Sequence, residues 1–241
     1  LSEVKVYAHR GASGYALENT WKSFQKACNF GVGIELDVQI TKDGVIVVFH
    51  DDNVKRLSGK DARIEEVDYD FLKELKIGKK WRRSFVHHKI PLAYEVFQWA
   101  KEKKVPLNIE MKSSFLHHPN GTKILCAMLD GLHDVHLSSF HPQLLKEIKK
   151  TKPSVETALI LKKKFSLEEV IGMDWVDSLH LHKRLYSSQL IDQLQQTGKK
   201  IRVYGMVGSE AAIKKPDSCL VGVITDYPDR IKEKLRPAVE R

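Results

Sequence analysis

The chain has 241 residues, 42% of them apolar and 29% charged, enough to bury a sizeable core and too apolar for a disordered chain. Its formal charge of +9 favours anionic partners, but the sequence carries no helix-turn-helix, zinc-finger spacing or aromatic RNA motif, which excludes nucleic acid as the main partner. No apolar run approaches the ~20 residues that span a bilayer, and the N-terminus has no signal-peptide core, so a cytoplasmic location is expected.

Short β-rich runs alternate with amphipathic helical stretches, the pattern of βα units and a parallel sheet covered by helices. The expected strands are Val4 to His9, Gly33 to Gln39, Pro106 to Lys112, Val135 to Phe140, Glu156 to Leu161, Ser178 to Leu181, Ile201 to Met206 and Gly222 to Asp226. Eight strands so spaced predict one α/β domain over residues 1–241, a (β/α)8 TIM barrel. A further run, Val45 to His50, follows the second strand too closely for a parallel crossover and must fold back. Asp43-Gly44 is a tight-turn signal, and a two-residue turn there sets Asp37 opposite His50.

Residues 51–89 are too many for an ordinary connection after the second strand, which predicts a small inserted subdomain. It should carry a helix from Asp70 to Lys76 and the basic, aromatic segment Lys79-Lys80-Trp81-Arg82-Arg83-Ser84-Phe85. That segment reads first as a loop packed on the barrel rim and second as a contact to an anionic substrate or a lipid surface. The cysteines Cys28, Cys126 and Cys219 are far apart and odd in number, and read as free, buried thiols.

Candidate chemistry gathers at the C-terminal ends of the expected strands, the face on which barrel active sites are built. His9-Arg10-Gly11 closes the first strand. In the second, Glu35 and Asp37 alternate with Ile34, Leu36 and Val38, so both carboxylates point into the barrel mouth. Glu110 and Lys112 repeat the device in the third. Buried like charges are costly unless a cation neutralises them or one stays protonated, and a hard cation such as Mg2+ or Ca2+ fits three carboxylates. The plainer alternative is a structural ion-pair network in which Arg10 and Lys112 balance the acids without a metal. His9 and His50 converge on the same spot, which such a network seldom needs. The other nine histidines are scattered, and most read as bystanders. A metal, a cationic clamp and two imidazoles suit phosphoryl chemistry, with one imidazole accepting a proton and the other donating one.

These residues also carry a resemblance. His9-Arg10-Gly11, Glu18-Asn19-Thr20, Glu35-Leu36-Asp37-Val38, Thr41-Lys42-Asp43-Gly44 and His50-Asp51 resemble the signature blocks of the glycerophosphodiester phosphodiesterases. Asn108-Ile109-Glu110-Met111-Lys112, Ser138-Ser139-Phe140 and Ile224-Thr225-Asp226-Tyr227-Pro228 continue the likeness nearly to the end of the chain. The resemblance implies that Glu35, Asp37 and Glu110 hold one divalent cation, Mg2+ or Ca2+ with Mn2+ as a further candidate. It implies that Arg10 and Lys112 bind phosphate oxygens, that His9 and His50 exchange protons, and that a small-molecule glycerophosphodiester becomes glycerol 3-phosphate and an alcohol. Two stretches depart from the pattern. Tyr204-Gly205-Met206-Val207 stands where many members have Trp-Thr-Val-Asn, and Arg56-Leu57-Ser58-Gly59 only loosely follows an Arg-Thr-Thr run. Two other functions fit the same barrel: a lysophospholipase-D-like enzyme whose insertion faces a membrane, and a non-catalytic phosphoester-binding barrel.

Overall fold

A computed structural model describes residues 4–79, 88–162, 164–210, 213 and 218–235. Its strands are β1 (Lys5–His9), β2 (Gly33–Ile40), β3 (Ile46–Val48), β4 (Leu107–Met111), β5 (Val135–Ser139), β6 (Glu156–Ile160), β7 (Ser178–His182), β8 (Lys200–Tyr204) and β9 (Leu220–Thr225). They run in the order β1-β9-β8-β7-β6-β5-β4-β2-β3, and a β1–β2 pairing closes the ring. All pairings except β2–β3 are parallel. The molecule is thus a closed barrel of eight parallel strands with one antiparallel extension, the (β/α)8 fold expected from the alternation of elements. Among the described residues, no helix is long and apolar enough to cross a membrane.

The alternation of side chains along each strand divides core from site. Ile34, Leu36 and Val38 of β2 and Leu107, Ile109 and Met111 of β4 point outward and are buried under helices, among them Ala93–Lys103 with its buried Ala93, Val96, Phe97 and Ala100. Each fully buried side chain of this size contributes about 1.5–3 kcal/mol, so this shell supplies most of the driving force. The lumen is different. Instead of the branched aliphatic residues usual in barrels, it holds buried Tyr7, Asn108, His136, His180 and Arg202.

The turn after β1 is tightly specified. Gly11 has φ +74°, and its N–H donates to the carbonyls of Ala8 and Glu35 at 3.1 and 3.2 Å. A Cβ there would lie 2.4 Å from Ser23 Oγ and 2.7 Å from the Ser23 backbone. Ser23 cannot yield, because it completes the capping box with Thr20 that starts helix α1 (Trp21–Asn29). Gly11→Ala is therefore expected to cost about 1–3 kcal/mol, read as a lowered urea midpoint; an unchanged midpoint would contradict this account.

The β2–β3 hairpin forms, but its register differs by one residue from the two-residue turn expected. Thr41 pairs with Val45 across a three-residue loop, with Gly44 N–H on Thr41 O and Gly44 at φ +83°. That is a type I turn followed by a left-handed glycine. Val38 then pairs with Val48, Phe49 N–H reaches Asp37 O, and Asp37 lies opposite Phe49 rather than His50. The chain leaves the strand after Val48, and His50 still arrives at the barrel mouth.

Between His50 and the helix at Ala93 run α2 (Lys55–Ser58), a 3-10 turn at Ile64–Glu66 and α3 (Tyr69–Lys73). Their apolar side chains Leu57, Ile64 and Leu72 join Val47, Phe49, Val54, Leu75, Ile77 and Ile90 in a second, separate core cluster. Helix α3 is shorter than the Asp70 to Lys76 expectation because Ile77 is drawn into a bridge with His88. Of the basic, aromatic segment only Lys79 is described; residues 80–85 lie outside the described residues. The three cysteines form no disulfide with one another, but only Cys126 is buried, while Cys28 and Cys219 are half-buried.

Candidate active site

Register brings the acids together. Glu35 pairs with His9 of β1 and Asp37 pairs with Glu110 of β4, so the three carboxylates meet at the C-terminal end of adjacent strands. One oxygen from each lies within 4.8 Å of the others. Lys112 Nζ stands 2.7 Å from Glu110 Oε1 and 3.3 Å from Asp37 Oδ1. Arg10 donates its backbone N–H to Glu35 Oε2 at 2.7 Å, and its Nε lies 3.3 Å from Asp37 Oδ2.

Two cations therefore face three carboxylates, Glu35 and Asp37 buried and Glu110 half-buried, and one negative charge is left over. Burial and the charge of Asp37 push the Glu35 carboxyl up to about 8. Burial also pushes Asp37 up, but Lys112 and Arg10 outweigh it and hold Asp37 below the ordinary carboxylate value. Burial and Asp37 raise Glu110 in spite of Lys112. A pure ion-pair network accounts for Asp37 and Glu110, whereas Glu35 Oε1 is buried with no hydrogen-bond partner. An orphaned carboxylate oxygen beside two others is a donor set that suits one hard divalent cation.

Both imidazoles reach this mouth, each tethered through Nδ1 to a carboxylate. His9 Nδ1 is 2.7 Å from Asp226 Oδ1, and Ser13 Oγ donates to the same oxygen at 2.9 Å. Burial lowers the His9 pKa, but the Asp226 hydrogen bond and the charge of Glu35 more than offset it, leaving it above the ordinary value. His50 Nδ1 is 2.6 Å from Asp51 Oδ1. Burial, with Lys112 and Arg10, keeps His50 below the ordinary value despite Asp37 and Asp51. Beside His9 opens a cavity of about 250 Å³ lined by His9, Arg10, Ser13, Glu18, Lys79 and Asp226.

All seven residues expected from the sequence thus stand at one mouth. Sequence reasoning assigned no role to four others that complete it. Asn19, at φ +52°, donates Nδ2 to Asp37 Oδ2 at 2.8 Å. Glu18 accepts from Arg10 Nη1 at 2.9 Å. Asp51 and Asp226 orient the two rings. Each lies inside a motif already singled out, but only coordinates reveal what its side chain touches. In the altered stretch Tyr204-Gly205-Met206-Val207, the Tyr204 ring meets His182 edge-on at 5.2 Å. Burial, together with the charge of Glu110, raises the Tyr204 hydroxyl pKa.

Fold and mouth together define a (β/α)8-barrel enzyme. The chain matches the model of the glycerophosphoryl diester phosphodiesterase family over residues 9–230, and it belongs to that family. It is 31% identical over 238 residues to a glycerophosphodiester phosphodiesterase of Caldanaerobacter subterraneus subsp. tengcongensis, covering 96% of this chain and 97% of that protein. An Oleispira antarctica phosphodiesterase solved with its product sn-glycerol-3-phosphate superposes with a TM-score of 0.84 at 26% identity, covering 96% of both chains. A glycerophosphodiester phosphodiesterase of Thermotoga maritima does so with a TM-score of 0.78 at 29% identity, over 98% of this chain and 100% of that one.

Proposed function

We propose that this chain hydrolyses glycerophosphodiesters, such as glycerophosphocholine, to glycerol 3-phosphate and an alcohol in the presence of one divalent cation. The observation that carries this reading is the convergence of Glu35, Asp37 and Glu110 within 4.8 Å, with Arg10 and Lys112 among them and two tethered imidazoles beside them. The product bound to the Oleispira antarctica neighbour supports the choice of substrate.

Glu35, Asp37 and Glu110 would hold Mg2+ or Ca2+, with Mn2+ also acceptable to an all-oxygen set. Bound there, the cation supplies Lewis acidity toward nonbridging phosphate oxygens. Arg10 and Lys112 bind the same phosphate and neutralise charge that grows in the transition state. Asp51 keeps the proton of His50 on Nδ1, which leaves Nε2 bare to accept one from the attacking water. His9, whose hold on its proton the Asp226 hydrogen bond strengthens, gives that proton to the departing alcohol. Residues 51–89 act as one inserted unit that brings Asp51, Arg56 and Lys79 to the mouth.

The test is a panel of glycerophosphodiesters and lysophospholipids, with and without chelator, scored by release of the alcohol together with glycerol 3-phosphate or its acylated form. Chelator-sensitive release is expected, and turnover that survives full chelation would sink the metal assignment. Glu35→Gln and Asp37→Asn should each weaken Mg2+ binding about 10-fold or more by calorimetry, with partial recovery of rate in excess metal. A second reading, lysophospholipase D activity, is favoured by 37% identity to a human lysophospholipase D over 115 residues, 45% of this chain. Turnover of lysophosphatidylcholine without turnover of glycerophosphocholine would establish it.

A further inference from the structure

The insertion places one guanidinium between the two halves of the mouth. Arg56, on α2, donates Nε to Asp51 Oδ2 at 2.5 Å and Nη2 to Asp51 Oδ1 at 3.0 Å. Its other edge donates Nη1 to Glu18 Oε2 at 2.9 Å and Nη2 to Glu18 Oε1 at 2.7 Å. Glu18 Oε1 also accepts from Arg10 Nη1 at 2.9 Å, and Asp51 Oδ1 lies 2.6 Å from His50 Nδ1. Charges therefore alternate along an unbroken chain from Arg10 through Glu18 and Arg56 to Asp51, which meets the His50 ring. The chain joins the end of β1 to the end of the β2–β3 hairpin through a residue 46 positions from Arg10 in sequence.

Elementary chemistry gives this bridge a task. A carboxylate shared by two donors sits where both hold it, and Asp51 has two candidate partners, the His50 ring and Arg56. With Arg56 gripping both of its oxygens, Asp51 is fixed in plane and orientation, and only Nδ1 of His50 meets it. The same planar fork fixes Glu18, which in turn holds Arg10 Nη1 and leaves the rest of that guanidinium facing Asp37 and the mouth. A bidentate fork on each of two carboxylates is a geometry that guanidinium provides and an ammonium does not. Arg56 reaches His50 through Asp51 and Arg10 through Glu18.

We propose that Arg56 is a positioning residue that locks the His50 ring and the Arg10 guanidinium into one frame, so that its loss disturbs the proton acceptor and the phosphate clamp together. This rests on the functional reading of His50 and Arg10 given above. The frame also assigns work to the stretch after His50 that only loosely follows the family pattern: its arginine is the residue the mouth uses.

The experiment compares Arg56→Met, Arg56→Lys and Glu18→Gln in the full chain. kcat and KM are measured on glycerophosphocholine, and the tautomer of His50 is read from its ring ¹⁵N shifts. Arg56→Met is expected to lower kcat about 10-fold or more, as small misplacements of reacting groups do. It should also move His50 from a single Nδ1–H form to a mixture. Arg56→Lys should fold normally and recover only part of the rate, while Glu18→Gln should raise KM and leave the His50 shifts in place. Wild-type kcat in Arg56→Met would overturn the proposal, as would a fall in kcat with the His50 ring unchanged. Should Arg56→Met fail to fold, Arg56→Lys decides: a wild-type rate with unchanged ring shifts overturns the frame. The ring readout needs no turnover, so an inactive wild type with a His50 tautomer that follows Arg56 would sink the functional reading while supporting the frame.

Discussion

Replacing His9 or His50 with alanine is expected to lower kcat about 10²-fold or more, the usual contribution of a general acid or base. Both rings are about one-third exposed, so truncation leaves little buried cavity and the melting temperature should stay close to wild type. The two variants should also differ in how rate depends on pH. His9 is held above the ordinary histidine value and His50 below it. As pH falls through the lowered pKa of His50, the acceptor becomes protonated and rate is lost; as pH rises through the raised pKa of His9, the donor loses its proton and rate is lost again. The wild type should therefore give a bell whose plateau includes the ordinary imidazole value near 6.5. His50→Ala should erase the acid limb, and His9→Ala the alkaline limb. Near-wild-type rates in both variants, or limbs erased in the opposite order, would end this assignment.

The strand count, the barrel and the seven mouth residues were legible because each rests on a local rule. Alternation along β2 and β4 fixes which way Glu35, Asp37, Glu110 and Lys112 point, whatever the rest of the chain does. The hairpin register was less legible. Asp43-Gly44 marks a turn in either case, but whether Lys42 joins the loop depends on Thr41, whose Oγ1 accepts from Val45 N at 2.9 Å and donates to Asp43 Oδ1. That bond favours the three-residue loop and moves Asp37 opposite Phe49. The tethering carboxylates were less legible again. Asp226 lies 217 residues from His9, and no periodicity relates them. Arg56 was quoted only as a departure from a pattern, since the length of its reach to Glu18 depends on how α2 docks. The lumen was missed for another reason: His136 and His180 look like scattered histidines until strands β5 and β7 are seen to aim them inward.

Those two histidines carry the second large effect, on stability. His136 and His180 are 2% and 1% exposed, their rings 5.5 Å apart and edge-to-face, and Tyr7 meets His136 in the same way at 5.2 Å. Arg202, bound to Glu156 at 2.6 Å, supplies a fixed positive charge beside them. Burial and Arg202 hold both imidazoles well below the ordinary value, so the fold keeps them neutral. An unfolded chain protonates them near pH 6.5, as free histidine does. Between that value and the depressed folded values the unfolded state binds more protons, so stability is full above about pH 6.5 and is lost as pH falls below it. Each ring contributes about 1.4 kcal/mol per pH unit in that window. The paired carboxylates act lower: Glu156 is held down at about 2, and its contribution is lost only as pH falls from the ordinary glutamate range toward that value. Urea midpoints measured between pH 6.5 and 5 should therefore fall steeply, and the double variant His136→Asn, His180→Asn should flatten the slope by up to about 2.7 kcal/mol per pH unit, whatever it does to stability at pH 7. A slope that survives both replacements would mean that the lumen admits the charged form, with Glu156 or solvent compensating Arg202, and that acid sensitivity arises at the mouth instead.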